Sequence, residues 1–122
     1  MGRKLEVVLV DDEEQITELL ETYLLFSSQG ISVHSFNDSI IAKDFIADNP
    51  MDVLITDYRM PRFDGLQLME SAPPEARKVI ISGYDSVIAE EKLQKLNATF
   101  LEKPIPLRAL SKIISEQKGK IQ

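Results

Sequence analysis

The chain has 122 residues, enough for one domain with its own core, and its 43% hydrophobic and 28% charged residues are typical of a globular protein. It has no cysteine, which excludes disulfides and thiolate metal sites. A net charge of −6 argues against nucleic-acid or membrane-surface partners. No apolar run approaches the roughly 18 residues of a membrane span, and no signal peptide is recognisable, so we expect a cytoplasmic protein.

The chain begins with a strand, a helix and a second strand. Leu5 to Val10 is a Val-rich run of strand length. Behind it, apolar residues recur at i, i+3, i+4, i+7 and i+8, which predicts an amphipathic helix, ended by Gly30. The predicted buried face is Ile16, Leu19, Leu20, Tyr23 and Leu24. Ile31 to Phe36 alternates in polarity, as expected of a half-exposed edge strand, and we interpret its His34 as an exposed residue and not as a metal ligand.

A second helix, a third strand and a short third helix follow. Asn37-Asp38-Ser39 offers helix caps, and Pro50 closes the helical segment. Its apolar residues are Ile41, Ala42, Phe45 and Ile46. Asp52 to Thr56 is predicted to be a buried strand that ends at Asp57. A short helix is then predicted from Leu66 to about Ser71, before Pro73-Pro74.

The remainder of the chain repeats this alternation twice. Val79 to Ile81 is a buried strand that ends at Ser82-Gly83. Asp85 or Ser86 can cap a fourth helix, whose apolar face is Ala89, Leu93 and Leu96. Thr99 to Leu101 is a short strand that leads into Lys103-Pro104. Pro106 suits the first turn of a last helix, which frays over residues 116–122 and has the inward residues Leu107, Leu110, Ile113 and Ile114.

Strict alternation of five strands and five helices predicts a parallel sheet covered by helices on both faces. Right-handed crossovers leave few topologies, and a five-stranded sheet in the order 2-1-3-4-5 fits the length. The alternating second strand belongs at the edge in that order.

Polar residues follow four of the predicted strands. They are Asp11-Asp12 after the first, Asp57 after the third, Ser82 after the fourth and Lys103 after the fifth. Because ligands of open α/β sheets bind beyond the carboxyl ends of the strands, these side chains mark a candidate site. No Gly-rich phosphate loop follows the first strand, so a dinucleotide site is not expected.

Three neighbouring carboxylates repel one another and need a compensating cation. Hard oxygen ligands at an open site suit Mg²⁺, with Mn²⁺ as an alternative. A carboxylate such as Asp57 can act as a nucleophile toward phosphorus and form an aspartyl phosphate. Lys103 would then spread the charge of the phosphoryl group, and Ser82 could donate a hydrogen bond to it.

Over essentially its whole length the sequence resembles the receiver domains of bacterial two-component response regulators. The resemblance is carried by Val10-Asp11-Asp12-Glu13, Leu54-Ile55-Thr56-Asp57-Tyr58-Arg59-Met60-Pro61-Arg62-Phe63-Asp64-Gly65, Ile81-Ser82-Gly83-Tyr84 and Phe100-Leu101-Glu102-Lys103-Pro104. Together, in this order and each at a strand end, these motifs are highly specific. The resemblance implies a flavodoxin-like doubly wound (βα)5 fold.

The resemblance also implies the roles of the site residues. Asp57 is expected to be the phosphoacceptor and a Mg²⁺ ligand. Asp12 is expected to bind Mg²⁺ directly, Asp11 partly through water, and Arg59 through its backbone carbonyl. Lys103 is expected to contact the phosphoryl group.

Further residues are expected to tune or transmit the signal. Ser82 is the expected switch hydroxyl, and Phe100 either an aromatic switch coupled to Ser82 or an ordinary core residue. Pro104 is expected to set the Lys103 loop through a cis bond. Gly83 would leave the site open, while Tyr84 and Arg59 would tune the lifetime of the phosphorylated form; Arg59 could also pair with Asp12 or Asp57 before phosphorylation. The output face would be the fourth helix, fifth strand and fifth helix.

Two other functions compete with a phosphorylation switch. One is an interaction module of the same fold that works without phosphorylation, against which the complete set of site residues counts. The other is a Mg²⁺-dependent phosphohydrolase resembling the haloacid dehalogenase group. That group carries a second Asp two residues after the nucleophile, where this chain has Arg59.

The expected organisation is one receiver domain over residues 1–122 without an output domain, either free-standing or part of a longer regulator. We expect a signalling switch that catalyses its own phosphorylation and dephosphorylation, not an enzyme. The expected partners are a sensor histidine kinase or a histidine phosphotransfer protein, together with a downstream protein or an attached output domain.

Overall fold

The computed structural model describes residues 2–83 and 87–121. Strands and helices alternate along the chain as the sequence predicts. Their bounds are β1 Leu5–Val10, α1 Glu14–Ser27, β2 Ile31–Phe36, α2 Ser39–Asp48, β3 Val53–Asp57, α3 Gly65–Ser71, β4 Arg77–Ser82, α4 Glu90–Lys95, β5 Ala98–Glu102 and α5 Leu107–Ile121.

The strands form one parallel sheet in the order β2-β1-β3-β4-β5, so the predicted topology is confirmed. β2 pairs with β1 along its whole length and lies at the edge, as its alternating pattern indicates. β1 and β3 lie inside the sheet and are almost fully buried, which agrees with their continuous apolar runs.

Each face of the sheet packs against its own set of helices. One core cluster joins β1, β3 and β4 to α1 and α5 through Leu20, Leu24, Leu110, Ile113 and Ile114. The other joins the opposite face to α2 and α3 through Ala42, Ile46, Leu68 and Met69. The sheet is therefore doubly wound, and its strand ends are held by core packing on both sides.

Two predicted helical faces differ from the structure by one residue. Leu20 and Leu24 of α1 are buried with Thr17, but Leu19 is 50% exposed. In α2, Ala42 and Ile46 are buried, while Ile41 is 57% exposed. Because consecutive residues of a helix point about 100° apart, a leucine or isoleucine beside the stripe is turned toward solvent.

The fourth helix is shorter than predicted. It begins at Glu90, with Ala89 at the cap position and exposed, so Ala89 does not belong to the buried face. Leu93 and Leu96 pack against the α2–α3 side of the core, as expected. The proposed caps Asp85 and Ser86 lie outside the described residues.

His34 is half-buried, contrary to its interpretation as an exposed residue. Its Nε2 lies 2.8 Å from Oε1 of Glu6, and its ring packs 4.9 Å from the ring of Phe45. Among residues 2–83 and 87–121, none of the helices combines the length and the apolar character of a membrane span.

Asp52 links the N-terminal segment, β1 and β4 through hydrogen bonds at the end of the sheet opposite the candidate site. Its two carboxylate oxygens accept hydrogen bonds from the Arg3 guanidinium at 2.6 and 2.7 Å, and one of them also accepts from the Glu6 amide at 2.7 Å. Its backbone carbonyl accepts from the Arg77 amide at 2.9 Å. The Arg3 hydrogen bonds, opposed by burial, hold the pKa of Asp52 below its usual range.

This lowered pKa predicts a pH-dependent effect of Asp52→Asn. A carboxylate whose folded pKa is lowered stabilises the fold above its unfolded pKa of about 3.9 and loses that effect as pH falls through the folded value. The free energy of unfolding of the variant should therefore be about 1 kcal/mol lower than that of wild type at pH 7. This gap between the two proteins should narrow below about pH 4, as pH falls through the lowered pKa of Asp52. Urea unfolding at several pH values measures it, with the exposed Asp44→Asn as control. A gap of constant size from pH 7 to pH 3 would contradict the assignment.

Candidate functional site

The polar residues predicted at the strand ends converge at one edge of the sheet. Asp11 and Asp12 follow β1, Asp57 is the last residue of β3, Ser82 is the last of β4, and Lys103 follows β5. Because all five strands are parallel, their carboxyl ends open on the same side. This placement is the one expected for ligand sites of open α/β sheets.

Three carboxylates form the centre of the site. Oxygen atoms of Asp11, Asp12 and Asp57 all lie within 4.8 Å of one another. Asp11 is 4% and Asp57 8% exposed, whereas Asp12 lies in contact with solvent. Closely spaced hard oxygen donors with an open side fit the preference of Mg²⁺, which takes few carboxylates and keeps waters. These three residues could therefore hold such an ion.

Burial and mutual repulsion act on these acids. Burial raises the pKa of Asp11 to about 6, with smaller contributions from the charges of Asp57 and Asp12, although the Glu13 amide and Lys103 lower it. Burial also raises the pKa of Asp57, against the attraction of Lys103. The ionised site is thus under electrostatic stress that a bound cation would relieve.

Lys103 is the positive group of the site. Its Nζ lies 3.2 Å from Oδ1 of Asp57. Burial lowers the pKa of this ammonium, but the combined attraction of Asp57, Asp11 and Glu13 outweighs burial and raises it. The Lys103 amide donates to the Ser82 carbonyl at 2.8 Å, and the Lys103–Pro104 bond is cis, as expected.

Gly65, the first residue of α3 after the β3–α3 loop, lies close to the backbone of Asp57. The Gly65 amide donates to the Tyr58 carbonyl at 2.8 Å. A Cβ at this position would lie 2.5 Å from the backbone oxygen of Asp57. The capping box of Asp64 and Gln67 starts α3 directly behind this contact. Gly65 belongs to the sequence motif around Asp57, but the motif alone assigned it no role.

The proposed switch residues lie on neighbouring strands. Ser82 is 3% exposed at the end of β4. Phe100 is partly buried on β5, opposite Ile80 in the sheet register, and packs against the α2–α3 side of the core. Gly83 is half-exposed beside the site, and Tyr84 lies outside the described residues. Their roles as switch and tuning residues stay predictions.

Arg59 lies on the exposed rim of the site. Its guanidinium carbon is 5.6 Å from the centre of the Tyr58 ring. Across residues 2–83 and 87–121, the ion pairs do not include one between Arg59 and Asp12 or Asp57, so the pairing considered from sequence is not found. The role of its backbone carbonyl as a metal ligand stays a prediction.

Comparison with known proteins agrees with the resemblance. Residues 7–115 match the family model of the response regulator receiver domain. Response regulator MprA of Mycobacterium sp. (strain KMS) is 33% identical over 110 residues, which are 85% of this chain and 46% of that protein. The chain thus spans about half the length of the curated relatives it matches.

Solved structures share the fold. The receiver domain of the Francisella response regulator 1452 superposes with a TM-score of 0.80 at 24% identity, covering 98% of this chain and 100% of that one. The receiver domain of Ssk1, solved in complex with the histidine phosphotransfer protein Ypd1 of Saccharomyces cerevisiae, was also found. That match has a TM-score of 0.79 at 18% identity and covers 100% of this chain and 94% of the other.

Proposed function

The chain belongs to the response regulator receiver domain family, and on that premise we propose that it is a signalling switch in which Asp57 accepts a phosphoryl group from a phosphohistidine. The observation that carries the proposal is the cluster of Asp11, Asp12 and Asp57, with Lys103 Nζ 3.2 Å from Asp57. A nucleophilic carboxylate, a site for a divalent cation and a fixed ammonium are the groups that phosphoryl transfer to aspartate requires.

Asp11, Asp12 and Asp57 would hold Mg²⁺, or Mn²⁺ in its place, with the Arg59 backbone carbonyl as a further proposed ligand. The bound ion would supply positive charge to the oxygens of the incoming phosphoryl group. In this arrangement the three carboxylates share the metal ion, but only one of them acts as the nucleophile. Asp57 is the only one placed within ion-pair distance of Lys103 among the described residues, which favours it as the nucleophile.

The transfer is a displacement at phosphorus. An oxygen of Asp57 forms the new P–O bond while the P–N bond to the donor imidazole breaks, and the bonding pair returns to the imidazole nitrogen. The Lys103 ammonium contacts the phosphoryl oxygens that gain negative charge, and the Ser82 hydroxyl donates a hydrogen bond to one of them. Hydrolysis of the resulting acyl phosphate resets Asp57, so the protein catalyses its own cycle as a switch and is not an enzyme acting on a separate substrate.

Phosphorylation would be transmitted through packing. The phosphoryl group adds about −1.5 to −2 charge and attracts Ser82. Movement of Ser82 would give space for Phe100 on the neighbouring strand to turn, which shifts the population between two packings of α4, β5 and α5. The face formed by these three elements would then bind a downstream protein or an attached output domain.

The proposed phosphodonor is a sensor histidine kinase or a histidine phosphotransfer protein. The complex of Ypd1 with the Ssk1 receiver domain supports this class of partner, because it joins a phosphotransfer protein to a domain of the same fold. The relatives that are twice as long support a second partner, an output domain on the same polypeptide.

The proposal is tested by intact-mass spectrometry after incubation with acetyl phosphate. We expect one phosphoryl adduct that forms with Mg²⁺ and is absent with EDTA. Beryllofluoride, which mimics a phosphoryl group on aspartate, should shift the NMR signals of Ser82 and Phe100 even if the adduct is short-lived. Absence of both the adduct and the beryllofluoride response would exclude phosphorylation and favour an interaction module of the same fold.

A further inference from the structure

The β2–α2 turn, defined here as residues 37–39 and therefore including the first residue of α2, reaches the loop that follows β1. Nδ2 of Asn37 donates to the backbone carbonyl of Asp11 at 2.9 Å and to Oγ1 of Thr17 at 2.9 Å. The Asp11 carbonyl belongs to the peptide that joins Asp11 to Asp12. Asn37 therefore holds the backbone from which two of the three site carboxylates project.

The same turn also reaches the loop that follows β3. Oγ of Ser39 donates to the Pro61 carbonyl at 2.7 Å and accepts from the Phe63 amide at 3.1 Å. Ser39 is only 4% exposed, so these two hydrogen bonds are shielded from water. The loop that they hold connects Asp57 to α3 and contains Arg59.

The turn is itself held rigidly. Oδ1 of Asp38 accepts from the amides of Ile40 at 2.8 Å and Ile41 at 3.4 Å, which caps α2. α2 is anchored by Ala42 and Ile46 in the core. A capped and anchored helix end can therefore fix the position of groups that it holds on either side.

The turn stands between the two loops that carry the acids. A pocket of about 180 Å³ lies there, and its lining includes Asp12, residues 37–39 and Pro61. Asp12 forms one wall, and the turn forms another. Since Asp11, Asp12 and Asp57 repel one another, loops without a lateral tie would relax by moving apart.

We propose that Asn37 and Ser39 are positioning residues of the phosphorylation site, which tie the loops of Asp11–Asp12 and Asp57 to one rigid helix end. This inference rests on the proposed function, because it concerns the same Mg²⁺ site. In this role the two side chains act through the backbone of the neighbouring loops, and they are not proposed as ligands of the phosphoryl group or the metal. They act by keeping the three carboxylates close enough to share one cation.

The test is the Mg²⁺ dissociation constant of the full chain, measured by isothermal titration calorimetry for Asn37→Ala and Ser39→Ala. Each lost set of hydrogen bonds should weaken Mg²⁺ binding by about three- to tenfold. Asn49→Ala and Ser71→Ala are matched controls. These side chains also donate to backbone carbonyls, those of Phe45 and Leu68, but at the carboxyl ends of α2 and α3, whereas the site lies at the amino ends of these helices. Controls should stay within about twofold of wild type.

A second readout separates positioning from general damage. In the acetyl phosphate reaction, the Mg²⁺ concentration for half-maximal labelling should rise in Asn37→Ala and Ser39→Ala, while the labelling rate at saturating Mg²⁺ returns close to wild type. Thermal unfolding of all four variants shows which are folded. Because Asn37 is exposed, Asn37→Ala is expected to remain folded. Its Mg²⁺ binding can therefore still be measured if Ser39→Ala unfolds.

The outcomes distinguish the inference from the function on which it rests. If wild type binds no Mg²⁺, the proposed function and the inference both fail. If wild type binds Mg²⁺ and the Asn37 and Ser39 variants bind it as tightly as the controls, the inference alone is overturned. Selective weakening in the two turn variants would establish it.

Discussion

Asp57→Asn is expected to abolish the phosphoryl adduct while leaving the protein folded and more resistant to heat than wild type. The amide is not a nucleophile toward phosphorus, so the adduct formed with acetyl phosphate and Mg²⁺ should disappear. The raised pKa of Asp57 means that its ionised form destabilises the fold at neutral pH, mainly because the group is buried. The neutral isostere removes that cost.

Intact-mass spectrometry and a thermal melt on the same sample measure both effects. Asp44→Asn, which changes an exposed carboxylate in α2, serves as control and should be labelled like wild type. If Asp57→Asn were labelled as wild type is, another residue would be the phosphoacceptor. A loss of labelling accompanied by unfolding would show that the Asp57 carboxylate stabilises the fold, which contradicts the destabilising effect expected from its burial.

Gly65→Ala is expected to lower the free energy of unfolding by about 1–3 kcal/mol or more. The added Cβ would lie 2.5 Å from the backbone oxygen of Asp57 and 3.1 Å from Cα of Tyr58. Backbone atoms cannot rotate away as the end of a flexible side chain can, so the loop must move. Because that oxygen belongs to Asp57, the displacement should also disturb the site.

Gly119→Ala is the matched control for this substitution. Gly119 lies in α5, and a Cβ there would meet nothing within 4 Å. Alanine in a helix is favoured over glycine by roughly 0.5–1 kcal/mol, so this variant should be at least as stable as wild type. Urea unfolding of the three proteins measures the difference. Equal stability of Gly65→Ala and wild type would show that the close approach is not a constraint on the loop.

The strand ends were predictable because of the way in which parallel sheets are built. A strand buried on both faces has a continuous apolar run, and the predicted bounds of β1, residues 5–10, are those observed. Polar residues that follow the strands of a parallel sheet lie together at its carboxyl edge. Asp57 and Lys103 were predicted at this edge on that basis, and their side chains lie 3.2 Å apart.

Helix faces and ends were less predictable. The exposure of Leu19 depends on which side of the apolar stripe meets the sheet, and Thr17 is buried in its place. The periodicity of apolar residues alone does not indicate how α1 is rotated about its axis relative to the sheet. The start of α4 at Glu90 lacks a side-chain cap of the kind that marks the starts of α2 and α3, so that local signal is absent there within the described residues.

The supports of the site could not be predicted, because they are lateral contacts between elements distant in sequence. Asn37 and Ser39 are residue types that commonly cap helices, but the residue that caps α2 is Asp38. Nothing local indicates that their side chains reach Asp11 and Pro61. Gly65 follows an aspartate in a pattern that is typical of any turn, and only the packed structure reveals its contact with Asp57.

The most direct test of the central claim is to identify the phosphorylated residue chemically. The protein is incubated with acetyl phosphate and Mg²⁺, the acyl phosphate is reduced with borohydride to homoserine, and the peptides are sequenced by tandem mass spectrometry. We expect homoserine at position 57 and at no other carboxylate of the site. Homoserine at position 11 or 12, or none at position 57 in a sample whose intact mass carries the adduct, would contradict the assignment of Asp57 as the phosphoacceptor.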